Sequence, residues 1–285
     1  MRRPLLALAA LLLALQALVA GGRVFILDYH TFLGTRRSSL DYAPAELARQ
    51  LDEIAALGYR FVDLGDAIAG RIEGDRNVVL TIDDANHSVY RAFGEVLRPR
   101  VIHPELFVYP GPILGKSRFF LSPAQLAELA AQGCGIGAHG YYHEYMTIKA
   151  WKADPRRVEK EAKGPGPALE LMLGKKPRLF AYPFGVGSPQ AAALLRDAGY
   201  DYAFAAADKL VAVDFADPAL DRYAVPRAIV YLWNRDAIMR GLAAQAGVAL
   251  PRAAARAGTV ARYTPATATR PPASCPGPSR SPRRM

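Results

Sequence analysis

Short apolar runs alternate with segments of helical pattern from Arg23 to about Gly247. The runs are apolar at consecutive positions rather than at every second one, which is typical of parallel strands that are covered on both faces. They cover residues 24–27, 59–62, 78–82, 106–109, 135–138, 179–182, 202–205 and 228–231.

The segments between these runs predict helices with defined ends. Residues 44–57 place Leu47, Leu51 and Ile54 on one face of a helix. Ser122-Pro123-Ala124-Gln125 supplies an N-cap, a first-turn proline and a reciprocal capping glutamine. Repeated strand-then-helix units predict an α/β fold, and seven or eight parallel strands favour a barrel in a single domain. Its chemistry is expected at the C-terminal ends of the strands.

The two ends of the chain have a different character from its centre. Arg2 and Arg3 precede an uncharged apolar run, and small residues follow at Ala20-Gly21-Gly22, so residues 1–21 are predicted to be a secretory signal peptide. We therefore expect an exported protein, periplasmic or extracellular. The alternative is an uncleaved anchor, the one case in which we expect membrane contact. Residues 248–285, rich in Ala, Arg, Pro and Thr, are predicted to be a disordered tail, which leaves a barrel domain over residues 22–247.

The distribution of charge along the chain bears on its expected partners, and the positions of its cysteines bear on disulfides. The net charge of +10 suggests nucleic acid at first sight, but nine of the 36 basic residues lie in the first three and last 34 positions. The region between has 27 basic and 26 acidic residues, so we expect no nucleic-acid partner. Cys134 lies in an apolar run and Cys275 in the tail, which predicts no disulfide between them.

Polar clusters follow three of the predicted strands, and the first is Asp83-Asp84 after residues 78–82. Adjacent carboxylates cannot both point into an apolar core without a partner or a metal. Since side chains alternate in direction along a strand, the pattern favours one carboxylate toward a metal and the other toward a water or substrate. The alternative interpretation is a turn or a helix cap.

The second cluster contains His139 and His143, which follow residues 135–138. Two imidazoles four residues apart can meet one ion if the segment makes a helical turn. Gly140 stands where the zincin motif needs glutamate, so that signature is excluded. The third cluster, over residues 180–185, runs from a strand into a Pro-Phe-Gly bend that can aim a backbone N–H at a ligand.

In this order the clusters resemble the motifs of the polysaccharide deacetylases, the carbohydrate esterase family that includes chitin, peptidoglycan and poly-N-acetylglucosamine deacetylases. The family's Thr-Phe-Asp-Asp-Gly is similar to residues 81–85, and its His-Ser/Thr-x-x-His to residues 139–143. Residues 182–185 look like its third motif. Asp28-Tyr29-His30 is similar to the opening of the bacterial exported members, and the resemblance covers residues 24–231.

The resemblance implies a distorted (β/α) barrel that holds one divalent ion, usually zinc, with cobalt, nickel and iron as alternatives. Asp83 would then act as the base, and the backbone N–H of Phe184 would stabilise the oxyanion. The implied metal ligands are Asp84, His139 and His143. Tyr182, Pro183 and Tyr141 are candidates for contacts with the sugar, with packing inside the barrel as the alternative.

This sequence departs from the family pattern at several positions. Many members carry a late histidine that protonates the leaving amine, whereas no histidine follows His143 here. His30 is the candidate for this acid, and His87 is the alternative. The third motif also lacks its arginine, and Arg227 is the candidate to orient Asp83 instead.

Two glycine positions differ as well. Ala85 replaces a glycine, which is unfavourable if the turn needs a positive φ. Gly140 removes a hydroxyl that braces the metal shell.

The predicted function is metal-dependent removal of acetyl groups from N-acetylated sugars of a cell-envelope or extracellular polysaccharide. Two alternatives stay open. One is a non-catalytic carbohydrate-binding protein on the same barrel, and the other is a metal-dependent hydrolase of a different acyl amide or ester.

Overall fold

The computed structural model describes residues 22–249. The predicted signal segment over 1–21, almost all of the predicted tail over 248–285, and Cys275 lie outside the described residues. Within 22–249, the structure has no helix that combines the length and the apolar character needed to cross a membrane.

Seven parallel strands close into a barrel, which confirms the predicted fold. Their order around the ring is β1, β3, β4, β5, β6, β7 and β9. The ring is closed because β1 pairs with β3 on one side and with β9 on the other. The strands of the described chain are β1 (Val24–Tyr29), β2 (Arg60–Phe61), β3 (Asn77–Asp83), β4 (Glu105–Val108), β5 (Gly135–Ala138), β6 (Leu179–Ala181), β7 (Tyr202–Ala206), β8 (Ala212–Val213) and β9 (Val225–Ile229).

Two short strands lie outside the closed ring. β2 pairs only with the first residues of β3, so the apolar run at 59–62 does not contribute an eighth barrel strand. β8, which the sequence did not indicate, runs antiparallel to the start of β1. The predicted last strand is real but begins earlier, at Val225.

Helices cover the outside of the barrel. Most begin with a proline in the first turn, where its missing N–H costs no hydrogen bond. The predicted capping box is present at Ser122, whose hydroxyl accepts from the N–H of Gln125. The α-helices are α1 (Pro44–Ala56), α2 (Leu64–Ile68), α3 (Ser88–Ala92), α4 (Pro110–Leu114), α5 (Pro123–Ala131), α6 (Ile148–Ala153), α7 (Pro155–Lys163), α8 (Pro165–Leu173), α9 (Pro189–Asp197) and α10 (Arg235–Gln245).

Side chains of the strands alternate between two apolar layers. One set fills the barrel interior and includes Ile26, Val79, Phe107 and Phe204. The other packs against the helices, so every residue of β1 and β3 is buried. Gly137 makes room for the interior aromatic, because a Cβ there would lie 2.4 Å from the Phe107 ring. The interior is therefore a packed apolar floor below the polar residues at the C-terminal strand ends.

Candidate metal and active site

The end of β3 separates the two adjacent carboxylates. Asp83 closes the strand and points into the barrel, where it is 2% exposed. The chain then turns through positive φ at Asp84 (75°) and Ala85 (57°), which directs Asp84 toward the loop after β5. The positive φ expected of a glycine at position 85 is therefore present although alanine occupies it, and such a conformation costs about 1–2 kcal/mol in an L-residue.

Arg227 from β9 holds Asp83 in a bidentate ion pair. Its two terminal nitrogens donate to the two oxygens of Asp83 at 2.8 and 2.7 Å. One of them also donates to Thr81 Oγ1 at 3.0 Å and lies 3.3 Å from Asp28 Oδ1. All four side chains are buried inside the barrel. The arginine missing from the third motif is thus supplied from another strand, as the sequence suggested.

This network sets the protonation of its two buried carboxylates. Burial alone would raise the pKa of Asp83, but the charge and the hydrogen bonds of Arg227 hold it below its usual value. Burial raises the pKa of Asp28 to about 7, against the attraction of Arg227. One guanidinium therefore serves an ionised Asp83 and an Asp28 that titrates near neutrality.

Asp84, His139 and His143 converge on one point. Asp84 Oδ1 lies 3.6 Å from Nε2 of His139 and 3.4 Å from Nε2 of His143, and the three ligand atoms lie within 4.8 Å of one another. His139 Nδ1 lies 2.9 Å from the Ala181 carbonyl oxygen. A proton on Nδ1 for that hydrogen bond leaves the Nε2 lone pair facing Asp84. The predicted ligand set is thus assembled in space.

The donor set fits a divalent cation. Burial lowers the pKa of His143 to about 4 and lowers that of His139, so both imidazoles are neutral at pH 7. Asp84 Oδ1 is buried and has no hydrogen-bond partner among the described residues. Three groups that present lone pairs to one another can together bind a cation, and two imidazoles with one carboxylate suit zinc, cobalt, nickel or iron.

The two candidate acids differ in position. His30 follows β1 and has a ligand atom within 4.8 Å of those of Asp28 and Asp83. Because Arg227 already supplies the positive charge there, this second cluster is an ion-pair network rather than a metal site. His87 is exposed and lines a different cavity of about 380 Å³ beside α5. The structure therefore brings His30, but not His87, to Asp83.

The loop after β6 places Phe184 beside the candidate metal ligands. Its ring lies 4.4 Å from that of His143 and stacks at 4.0 Å on Tyr145, and both Phe184 and Tyr145 are exposed. Phe184 has a positive φ of 59°. Its backbone N–H donates to no acceptor within residues 22–249, which leaves it available to a ligand.

The predicted sugar contacts of Tyr182 and Pro183 are wrong for their side chains. Tyr182 is 2% exposed and its hydroxyl donates to the Tyr223 carbonyl at 3.1 Å. Pro183 is buried beside Gly140. Both residues lie where the chain leaves the barrel wall, so they pack into the layer under the helices rather than face solvent.

Tyr141 also has a packing role. Lys160 Nζ lies 3.8 Å from the centre of its half-buried ring, which lies over α7 and close to Gly164. The exposed aromatic side chains of this loop are instead Tyr142 and Tyr145. No sequence signal points to Tyr145, because it lies outside the motif spacing. Glu161 of α7 is likewise unmarked in the sequence, since its helix carries charged residues at most of its positions.

Comparison with known proteins agrees with this geometry. The sequence model of the family described as Polysaccharide deacetylase matches residues 70–203. The solved structure of IcaB from Ammonifex degensii is 28% identical, with a TM-score of 0.65 over 77% of this chain and 97% of that one. None of the curated protein sequences matches the chain.

Two less similar structures share the fold. A de-N-acetylase from Aggregatibacter actinomycetemcomitans is 17% identical, with a TM-score of 0.66 over 77% of this chain and 99% of that one. Streptococcus pyogenes deacetylase PplD in complex with acetate is 19% identical, with a TM-score of 0.65 over 77% of this chain and 97% of that one. Residues 70–203 match the polysaccharide deacetylase family, and the chain is similar to these deacetylases in its motifs and its seven-stranded barrel.

Proposed function

We propose that this protein removes acetyl groups from N-acetylated sugars of an extracellular or cell-envelope polysaccharide, with a divalent metal ion as cofactor. The observation that carries the proposal is the position of the Asp83–Arg227 ion pair beside Asp84, His139 and His143. His139 joins the two groups, since its Nε2 lies 3.5 Å from Asp83 Oδ2 and 3.6 Å from Asp84 Oδ1.

Asp84, His139 and His143 would hold the ion. When bound, the ion supplies Lewis-acid chemistry, which acidifies water and polarises an acyl carbonyl. The protein contributes fixed ligand orientation: the Ala181 carbonyl holds the tautomer of His139, and burial keeps both imidazoles neutral. These features support zinc as the usual metal of such a site, with cobalt, nickel and iron compatible with the same ligands.

Asp83 is the proposed base. Its carboxylate is ionised because Arg227 lies against both oxygens, and each oxygen keeps a lone pair beyond the one engaged by the guanidinium. The lowered pKa makes Asp83 a weak base, so it accepts the proton of the attacking water only while the acyl carbonyl is being activated. Arg227 fixes the direction of the carboxylate and therefore the place where the water is held.

His30 is the proposed proton donor to the leaving amine. It reaches the same polar cluster from β1, beside Asp28 and Asp83. Its Nδ1 is buried and has no hydrogen-bond partner within the described chain. A histidine next to two carboxylates can take up a proton and release it to the amine nitrogen. The backbone N–H of Phe184 supports the developing oxyanion.

The exposed Phe184–Tyr145 pair supports a sugar substrate. Stacked aromatic rings beside the catalytic groups offer a flat apolar face to a pyranose ring. A purely apolar acyl ester would not need such a platform. A non-catalytic binding role has less support, because binding alone does not require a buried arginine fixed on an aspartate beside the ligand set.

Acetate release tests the function directly. Full-length protein is stripped of metal, reloaded with Zn²⁺ and incubated with N-acetylglucosamine oligomers or peptidoglycan fragments. We expect release only after reloading, and a loss of about 10²–10⁴-fold in Asp83→Asn. The matched control is Asp66→Asn, a half-exposed aspartate of α2 that is paired with Arg71. Stoichiometric metal with no acetate from any glycan would favour the binding protein or another acyl substrate.

We also propose that residues 1–21 direct export and that residues 248–285 form no part of the catalytic domain, which spans 22–247. The apolar run behind Arg2 and Arg3 supports export. Mass spectrometry of the protein recovered from the periplasm or medium is expected to show an N-terminus near Gly22. Retention of the whole chain in the membrane fraction would show an uncleaved anchor instead.

A further inference from the structure

The loop that carries the two histidines is bent at two points. φ is positive at Gly140 (75°) and at His143 (63°), so the segment between them is neither strand nor helix. This bend brings both imidazoles to Asp84, which an ideal helical turn was expected to do from the spacing alone. It also turns several backbone N–H groups toward one side of the loop.

Those N–H groups converge on Glu161. Its Oε2 accepts from Tyr141 N at 2.9 Å and from Glu144 N at 3.3 Å, and its Oε1 accepts from Tyr142 N at 3.0 Å. Glu161 has no exposed surface, and no lysine or arginine of the described chain forms a salt bridge with it. The backbone nest of the loop is thus its counter-charge. Hydrogen bonds from N–H groups to an ionised carboxylate are among the stronger ones in proteins.

Gly140 makes this arrangement possible. A Cβ at position 140 would lie 2.3 Å from Glu161 Oε2 and 3.1 Å from Pro183 Cγ. Any side chain there would displace the carboxylate. At this position the chain has a glycine, with a buried carboxylate directly behind it.

We propose that Glu161 is a positioning residue that locks the histidine loop in its metal-binding shape. The inference rests on the proposed metal-dependent function, because its purpose is to hold His139 and His143 toward Asp84. Glu161 touches neither the ion nor the substrate. It acts through the backbone of residues 141–144.

The test measures Zn²⁺ affinity and loop protection separately. Zn²⁺ is titrated into metal-free full-length protein against a chromophoric chelator, and Glu161→Ala is expected to raise the Kd by about 10–100-fold. Glu161→Gln keeps one accepting oxygen and is expected to fall in between. Glu159→Gln, an exposed glutamate on the same helix, is the control and is expected to match the wild type. A wild-type Kd in Glu161→Ala would overturn the proposal.

Hydrogen exchange of the metal-free protein gives a readout that does not depend on metal. The amides of Tyr141, Tyr142 and Glu144 are expected to exchange faster in Glu161→Gln, while those of β5 and α7 are unchanged. A merely structural role would loosen the whole domain or leave these amides as they are, and either result contradicts the proposal. If the wild type itself binds no Zn²⁺, the proposed function fails, whereas the exchange pattern still decides the role of Glu161.

Gly140→Ala provides a second, independent variant if Glu161→Ala does not fold. Its new methyl group is expected to push the carboxylate away and weaken Zn²⁺ binding by a similar factor. Because both changes break the same contact, the double variant Gly140→Ala/Glu161→Gln is expected to lose less affinity than the product of the two single losses. Independent, multiplying losses would refute the link between the two positions.

Discussion

The barrel buries carboxylates at both ends of its interior, and the two ends treat them differently. At the C-terminal end Asp28 and Asp83 share Arg227, which donates to Asp83 through two nitrogens. At the start of β4, Glu105 is 7% exposed and forms no salt bridge within residues 22–249. Burial raises the pKa of Glu105 to about 8. At the C-terminal end Asp83 stays ionised because it is paired with Arg227, whereas at the other end Glu105, without a partner among the described residues, is protonated at neutral pH.

The difference teaches which buried charge the chemistry needs. A neutral carboxylic acid costs little in an apolar interior, whereas an ionised one needs a cation and hydrogen bonds. A neutral acid at position 83 would therefore be at least as favourable for the stability of the fold. The paired, ionised Asp83 is the costlier solution, and it lies where the proposed mechanism requires a proton acceptor.

Removal of the shared cation is expected to have the largest effect. Arg227→Met leaves two buried carboxylates without a partner, which destabilises a fold by about 3–5 kcal/mol and removes the orientation of Asp83. We expect deacetylation to fall by more than about 10²-fold. Urea unfolding and acetate release measure the two effects.

Arg227→Lys is the matched control that keeps the positive charge but lacks the bidentate guanidinium geometry. It is expected to recover part of the stability and little of the activity, because lysine is a point charge that cannot hold two oxygens in a plane. Full activity in Arg227→Lys would show that charge alone is enough and that the bidentate geometry is unnecessary.

Glu105 is expected to show the opposite behaviour, with an effect that depends on pH. Its pKa is about 8 in the folded state and about 4.3 in the unfolded chain. Between these values the folded state holds a proton that the unfolded state has lost, so stability falls as pH rises, by at most about 1.4 kcal/mol per pH unit. Glu105→Gln removes this slope and is expected to be more stable than the wild type at pH 9 by up to about 5 kcal/mol.

Near pH 4 the two proteins are expected to have similar stability, since Glu105 is then neutral in both states. Urea titrations across pH 4–9 measure the difference, with Glu159→Gln as an exposed control that leaves the slope unchanged. A wild-type slope in Glu105→Gln would assign the pH dependence to another group.

Substitutions of two tyrosines are expected to have smaller effects, and together they distinguish a packing role from a substrate contact. Tyr182→Phe removes a hydroxyl that donates to the Tyr223 carbonyl and is expected to cost about 1 kcal/mol of stability. Because the ring is buried, KM for an N-acetylglucosamine oligomer is expected to stay the same. Tyr145→Ala, at an exposed stacked ring, is expected to raise KM and leave stability unchanged. A raised KM in Tyr182→Phe would restore the substrate contact that the structure denies.

How much of the molecule the sequence predicts depends on whether a feature leaves a local pattern along the chain. Apolar runs identify all seven barrel strands, because a parallel strand is apolar on both faces. The clusters that contain Asp84, His139 and His143 are found through their spacing and their place at strand ends, while their assignment as a ligand set comes from the resemblance to the family motifs. The sequence also indicates a role for Arg227, although only the structure shows that its fork reaches Asp83.

Other features need the fold itself. Whether Tyr182 faces solvent or core depends on where the chain leaves the barrel wall, which its motif does not encode. Glu161 belongs to a highly charged helix segment, and only the backbone bend of the histidine loop marks it as different from Glu159. Long-range pairs such as Glu161 with Gly140 leave no local pattern in one sequence.

The smallest effect is expected in the turn after β3, at the C-terminal end of the barrel. Ala85→Gly relieves a positive φ of 57°, which costs an L-residue about 1–2 kcal/mol. Glycine in turn loses a buried methyl group worth about 0.8 kcal/mol and adds about 0.4–1 kcal/mol of freedom to the unfolded chain. The terms nearly cancel, so the free energy of unfolding is expected to change by less than about 1 kcal/mol, measured by urea titration.

The Zn²⁺ affinity of Ala85→Gly is expected to change by less than about threefold, because the direction of Asp84 is set by its own positive φ and by the strand that precedes it. A tenfold weaker Zn²⁺ site would show that the buried methyl of Ala85 helps to hold the carboxylate. In that case the alanine, like Gly140, would be a substitution to which the rest of this site has adjusted, and the C-terminal end of the barrel would depend on packing as much as on paired charge.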